Sequence, residues 1–291
     1  MDVPHPVPYQ GSKRLLAPRI LAVVGPRKFD RLFEPFAGSA AISLAAADRG
    51  LARTFHLNDL SRPVADLWTK VLGDAAEVAD EYESLWLGQD NDPQHFENVR
   101  AAFNGDRDPA KLLYLFARCV KNAPRFNARG DFNQSPDRRR RGMRPTRMRE
   151  QLLGASRLLK GRATVSAVDF REALAGATPD DLVYMDPPYE GVQGRDSRYE
   201  RQLTREALIE GLLDLNRRRV PFLLSYDGRT GEKTYGLPLP ESIARRLELD
   251  AGRSSQATLS GRDERTIESL YVFGLEVRTG QELEPEMVLG L

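Results

Sequence analysis

The chain has 291 residues, 41% hydrophobic and 29% charged, with a formal net charge of +1, one cysteine and three histidines. That length suits one large α/β domain plus a smaller unit, and no apolar stretch approaches the roughly 18 residues a membrane-spanning helix needs. A single cysteine excludes an internal disulfide, three scattered histidines give no zinc pattern and so no metal site, and an N-terminus lacking a basic-then-apolar leader fits a reducing, cytoplasmic setting.

The segment Phe29-Asp30-Arg31-Leu32-Phe33 reads as a first strand leading into Glu34-Pro35-Phe36-Ala37-Gly38-Ser39-Ala40. An alanine- and leucine-rich helix then runs to about Arg49, where Gly50 ends it. Residues 54–57 read as the next strand, closing on Asn58-Asp59, and the helix that follows carries Val64, Leu67, Trp68 and Val71 at i, i+3, i+4 and i+7. Strand, glycine loop, helix, strand, acid is the order of a βαβ unit. Asp59 falls about 20 residues past the loop, a spacing that suits a carboxylate on the ribose hydroxyls of a nucleoside ligand.

From about Gly73 to Lys160 the alternation stops. Helical patterns cover 75–86, 93–103, 109–119 and 147–159, and the buried face of the third takes Cys119 as a structural thiol. The expectation is a mainly helical unit, residues 73–159, inserted into an α/β domain formed by 1–72 and 160–291. Between Arg118 and Arg149 lie eleven Lys/Arg and only two acids, a local charge of +9 against −8 for the rest. Such segregation points to a polyanion-binding face. Arg138-Arg139-Arg140-Arg141 alone would serve equally as a solvated loop. The stretch before it, Arg125-Phe126-Asn127-Ala128-Arg129-Gly130-Asp131-Phe132-Asn133-Gln134-Ser135, mixes aromatics, amides and guanidiniums, the groups that read base edges and grip phosphates.

The βα alternation resumes at 163–169 and continues through the apolar run Leu182-Val183-Tyr184-Met185, a helix near 204–216, the strand 221–225 and a final strand near 267–273. The apolar run ends on Asp186-Pro187-Pro188-Tyr189. In an open α/β sheet, ligands bind at the C-terminal ends of the strands. There the Asp186 carboxylate and the Pro187 carbonyl can both accept from an exocyclic NH₂, Pro187 and Pro188 stiffen the backbone, and Tyr189 offers a face for stacking. Asp and Pro are also ordinary loop residues. The tetrapeptide gains its meaning from the motifs around it.

Taken together, these motifs make the chain resemble a Dam-type (D12 class) DNA adenine-N6 methyltransferase over nearly its full length. Tyr9-Gln10-Gly11-Ser12-Lys13 is similar to the family's N-terminal motif, Phe33 to Ser39 to its cofactor loop, Leu57-Asn58-Asp59 to its ribose-binding motif, Asp169-Phe170 to the next cofactor motif, and Asp186 to Tyr189 to its catalytic tetrapeptide. Glu268-Ser269-Leu270 resembles its C-terminal end. Two departures stand out: Ala40 replaces a frequent second glycine, and the recognition segment differs from that of enzymes acting on GATC, so that specificity is not carried over.

The resemblance implies a Rossmann-like methyltransferase sheet with helices on both faces and an inserted helical recognition domain. It implies S-adenosylmethionine as methyl donor, held by Tyr9, Lys13, Glu34, Pro35, Phe36, Ala37, Gly38, Ser39, Asp59, Asp169, Phe170 and Asp186. Glu34 has a second reading, as an acid at a helix N-terminus. Catalysis is expected from Asp186, Pro187, Pro188 and Tyr189 on the N6 of an adenine flipped out of duplex DNA. DNA contacts are expected from Lys121, Arg125, Asn127, Arg129, Asn133, Gln134, Arg138, Arg139, Arg140 and Arg141. A restriction–modification setting would add a cognate restriction endonuclease acting on the same site; genome marking would not. The rival readings are an RNA or protein-amide methyltransferase and a non-catalytic DNA-binding relative.

Overall fold

Strand β4 (Leu182–Met185) is buried at all four positions, which requires that both faces of the sheet be covered around it. The computed structural model describes residues 2–188, 203–253 and 265–276, and Tyr189 lies outside them. The other strands are β1 (Phe29–Glu34), β2 (Ala52–Asn58), β3 (Ala163–Ser166), β5 (Phe222–Thr230), β6 (Lys233–Tyr235), β7 (Arg245–Arg253) and β8 (Arg265–Phe273). Their order is β3-β2-β1-β4-β5-β8-β7, with β6 pairing off β5. The first five in that order pair in parallel, and β8 and β7 complete the sheet antiparallel. Chain order reverses between β1 and β4, so the crevice beyond their C-terminal ends is the topological switch point of a doubly wound, Rossmann-like sheet.

Helices α1 (Ala17–Ala22), α2 (Ala41–Asp48), α7 (Phe170–Ala173) and α8 (Arg205–Arg217) alternate with these strands. Seven residues of α2, Ala41 to Ala47, are buried; its alanines let it lie close to its neighbours. The segment that breaks the alternation contributes α3 (Arg62–Gly88), α4 (His95–Asp106), α5 (Pro109–Arg118) and α6 (Pro145–Leu159).

Two helices expected on either side of Gly73 are joined as α3, with one break at Asp74 (φ −144°). Asp74 Oδ1 accepts from Glu77 N at 3.0 Å, so the second half starts from its own N-cap. Buried Tyr82, Phe103, Tyr114, Phe116 and Met148 of the helical segment belong to the same apolar cluster as Leu32, Leu57 and Tyr184 of the sheet. Strands β6 and β7 escape the sequence pattern. In β7, Arg245, Arg246, Glu248 and Asp250 break up the apolar signal, as charges on an edge strand do.

Candidate active site and nucleic-acid interface

Where β1 ends, the chain turns through Pro35 to Ala40 and is held on all sides. Ala37 N donates to the Asn58 carbonyl (2.8 Å), Gly38 N to Asp59 Oδ2 (3.0 Å), and Trp68 Nε1 to the Gly38 carbonyl (2.9 Å). Asp59 Oδ1 also accepts from Ser61 N at 2.9 Å, so this buried carboxylate joins the glycine loop to the start of α3. Asn58 adds a second clasp: its Nδ2 reaches the carbonyls of Pro35 and Val168, and its Oδ1 accepts from Ser166 and Val168.

Gly38 takes a left-handed φ of 46° with the Tyr9 ring beside it. Ala40 is left-handed too, at φ 50°. That conformation costs a non-glycine residue roughly 1–2 kcal/mol. Burying the Ala40 methyl completely, worth about 0.8 kcal/mol, offsets much of it.

Glu34, the last residue of β1, is buried. Its Oε2 accepts from Ser43 N (2.8 Å) and from the Ser43 hydroxyl, so it caps α2, whose own N-cap residue Ala40 supplies no side-chain bond. Burial pushes its carboxyl up to about 7 against the Ser43 hydrogen bonds, with nearby Asp186 adding to the rise. The bond to Ser43 fits the second reading of Glu34, as an acid at a helix N-terminus, and leaves its Oε1 outside the cap.

Asp186 stands at the tip of β4 across the switch point. Lys13 Nζ donates to both its oxygens, at 2.8 and 2.9 Å, and to the Gly11 carbonyl at 3.3 Å. Glu268 of β8 brings a second carboxylate to within 3.6 Å of the same ammonium. Burial pushes both carboxyls above their usual range, and Lys13 pulls each the other way. Nearby, Pro35, Phe36, Leu60, Val168, Phe170 and Leu203 line an apolar slot with Asp169 among its walls. The Phe36 and Phe170 rings lie 5.6 Å apart. Asp169 N-caps α7 through Arg171 N and pairs with the Arg171 side chain. Ser39 sits beside the N-terminal motif through a 2.8 Å hydroxyl contact with Ser12.

The basic segment is an ordered ribbon. Val120 N reaches the Ser135 carbonyl, Asn133 N that of Arg125, and Asn127 N that of Asp131. The Phe126 and Phe132 rings meet edge-to-face at 5.5 Å, and Phe132 continues inward onto Phe103 and Phe116. The two phenylalanines therefore anchor the ribbon rather than decorate it.

Two amides expected at bases have internal work. Asn127 Oδ1 accepts from Arg129 N and Asp131 N, while its Nδ2 donates to Asp131. Buried Gln134 donates to the Ala123 carbonyl and accepts from Ser135 N. Both amides close tight backbone turns that would otherwise leave polar groups unmet.

Lys121, Arg125, Arg129, Asn133 and Arg138 are exposed. Asp137, held down to about 2 chiefly by Arg139, pairs with Arg139 and Arg140, and Arg141 lies over the Trp86 ring at 4.5 Å. The ribbon touches the segment that carries Lys13: Gln10 N donates to the Asn122 carbonyl at 2.9 Å, and Tyr9 meets the Phe116 ring of α5 at 5.8 Å.

Ser43, Asn58, Trp68 and Glu268 were not singled out as site residues from the sequence. Asn58 and Glu268 each carried a signal, through a place in a quoted motif. No helix among the described residues is long and apolar enough to cross a membrane.

The family model described as D12 class N6 adenine-specific DNA methyltransferase matches residues 9–254. Among curated proteins, the chain is 27% identical to a DNA N-6-adenine-methyltransferase of Escherichia phage P1, over 68% of this chain and 26% of that protein. It is 26% identical to a DNA adenine methylase of Serratia marcescens, over 55% of this chain and 58% of the relative. With the type II methyltransferase M1.LlaDCHI of Lactococcus lactis subsp. cremoris it shares 24%, over 62% and 64%. The chain thus spans less than two thirds of the length of each.

Proposed function

Since the chain belongs to the D12 class of N6 adenine-specific DNA methyltransferases, we propose that it methylates the N6 of an adenine extruded from duplex DNA, with S-adenosylmethionine as donor. The observation that carries this reading is the seat of Asp186. It is a half-buried carboxylate at the sheet's switch point, ion-paired by Lys13, whose own segment bonds the basic ribbon through Gln10.

The residues around the crevice fit the donor by their chemistry. The Phe36–Phe170 slot suits a purine face, Asp59 suits ribose hydroxyls, and two carboxylates around one ammonium leave a negative surplus for a sulfonium and an α-ammonium. When bound, S-adenosylmethionine supplies an electrophilic methyl carbon. Asp186 and the Pro187 carbonyl accept the two N–H groups of the adenine amine, which localises the nitrogen lone pair. The Asp186 charge then stabilises the positive charge that builds on N6, an interaction that strengthens toward the transition state. Flipping costs a few kcal/mol, offset in part by phosphate contacts from exposed cations of the ribbon such as Lys121, Arg125, Arg129 and Arg138. In this reading, residues 73–159 form the target-recognition unit.

The test is transfer of labelled methyl to duplex DNA, RNA and protein in parallel, with the modified nucleoside identified by mass. N6-methyladenine in duplex DNA is expected. Label in RNA or protein alone would overturn the proposal.

A further inference from the structure

The Lys13–Asp186 pair raises a difficulty for the proposed chemistry. An ammonium bonded to both oxygens of Asp186 weakens that carboxylate as an acceptor when positive charge must build beside it. The structure supplies an alternative resting place for that ammonium. Glu268 Oε2 lies 3.6 Å from Lys13 Nζ, is buried, and makes no hydrogen bond among the described residues.

Its position is set by the fold. Strand β8 runs antiparallel to β5, so the start of β8 comes to the same end of the sheet as the tip of β4. A bulge in β5 between Ser225 and Gly228 shifts the register, and Glu268 then pairs with Gly228. A Cβ on Gly228 would stand 2.7 Å from the Ile267 carbonyl, so glycine is what allows the two strands this close. One residue on, the Ser269 hydroxyl donates to buried Asp227 and accepts from Arg246 Nε at 2.9 Å, and Tyr271 donates to the same Asp227. A bulge beside an active site commonly re-aims a side chain. Here it presents a carboxylate to an ammonium that already has one.

We infer that Glu268 is the second seat of the Lys13 ammonium, taking it from Asp186 as the adenine amine arrives. Glu268 is thus a positioning residue that acts on the substrate through Lys13. When Lys13 shifts onto Glu268, Asp186 regains full acceptor strength where the transition state needs it, and the Glu268 oxygen gains its missing partner. The inference rests on Asp186 being the acceptor of the amine.

The experiment is single-turnover methylation of genomic DNA lacking methyladenine, with the full chain saturated by DNA and S-adenosylmethionine. Glu268→Gln, Glu268→Asp, Lys13→Met, Asp186→Asn and the Lys13→Met/Glu268→Gln double variant are compared with wild type. With donor and DNA saturating, Glu268→Gln should slow the step about 10–100-fold while leaving DNA affinity within about threefold, and Glu268→Asp should recover most of the rate. In the Lys13→Met background, Glu268→Gln should have no further effect, because its role passes through the ammonium.

A wild-type rate for Glu268→Gln overturns the inference, as does a loss confined to affinity or thermal stability, or additive losses in the double variant. An active Asp186→Asn would instead remove the acceptor reading itself. An inactive Asp186→Asn beside an unimpaired Glu268→Gln would remove only the second seat.

Discussion

The switch-point crevice and the basic ribbon are built on one plan with opposite signs. In the crevice two carboxylates, Asp186 and Glu268, share one cation, Lys13. In the ribbon the acids are outnumbered, and Asp137 gathers Arg139 and Arg140. Each region leaves a surplus suited to its proposed ligand, negative for a sulfonium and an amine, positive for phosphates. The minority charge holds like charges together that would otherwise repel.

The strongest way to break the comparison is to remove the majority charge in the crevice. Asp186→Ala should lower turnover by about a thousandfold or more while DNA affinity stays within about threefold. Residual turnover within tenfold of wild type would take Asp186 out of the chemistry. Next comes the ribbon's surplus. Replacing Arg138-Arg139-Arg140-Arg141 with alanines should weaken DNA binding about 10–100-fold and flatten its salt dependence; an unchanged slope would make that run a solvated loop.

The sharpest test is smaller. Asp137→Ala adds a net positive charge, so simple attraction predicts tighter binding. If Asp137 organises the arginines, affinity for duplex DNA should instead fall several-fold, as a filter-binding titration would show.

The smallest effect concerns Glu34, whose folded carboxyl lies near 7, above its ordinary range. The folded state holds that proton more tightly than the unfolded chain. Stability from this group is therefore complete below the ordinary carboxylate range and declines as pH rises toward 7. Glu34→Gln keeps an acceptor for Ser43 and cannot ionise. Relative to wild type it should gain on the order of 1 kcal/mol between about pH 5 and pH 8, or about 2–4 °C in Tm. Parallel melting curves at both pH values would contradict this.

What the sequence disclosed follows from how local each feature is. The run 182–185, ended by Asp186-Pro187, displays a buried strand and its exit within a few residues, and Asp59 is legible because βαβ spacing is rigid. The Lys13–Asp186 pair joins residues 173 apart, and no local pattern records it. The turn bonds of Asn127 and Gln134 stay hidden for a different reason: an amide that closes a turn and an amide that reads a base are the same residue type until the backbone around them is known. Glu34 had two local explanations, and its bond to Ser43, nine residues on, is recorded by neither. Strand β7 hid behind its edge charges.

The bond from Gln10 N to the Asn122 carbonyl sets a condition on chimeras of this protein. Asn122 and its neighbour Lys121 are both left-handed, held by the Asn122 amide on the Phe116 carbonyl and by Arg140 on its oxygen. A ribbon transplanted from a relative would have to reproduce that two-residue kink. Otherwise the graft tugs on the short stretch of chain between Gln10 and Lys13, and, under the proposed function, an exchange meant to alter which sequence is read would also detune the reaction.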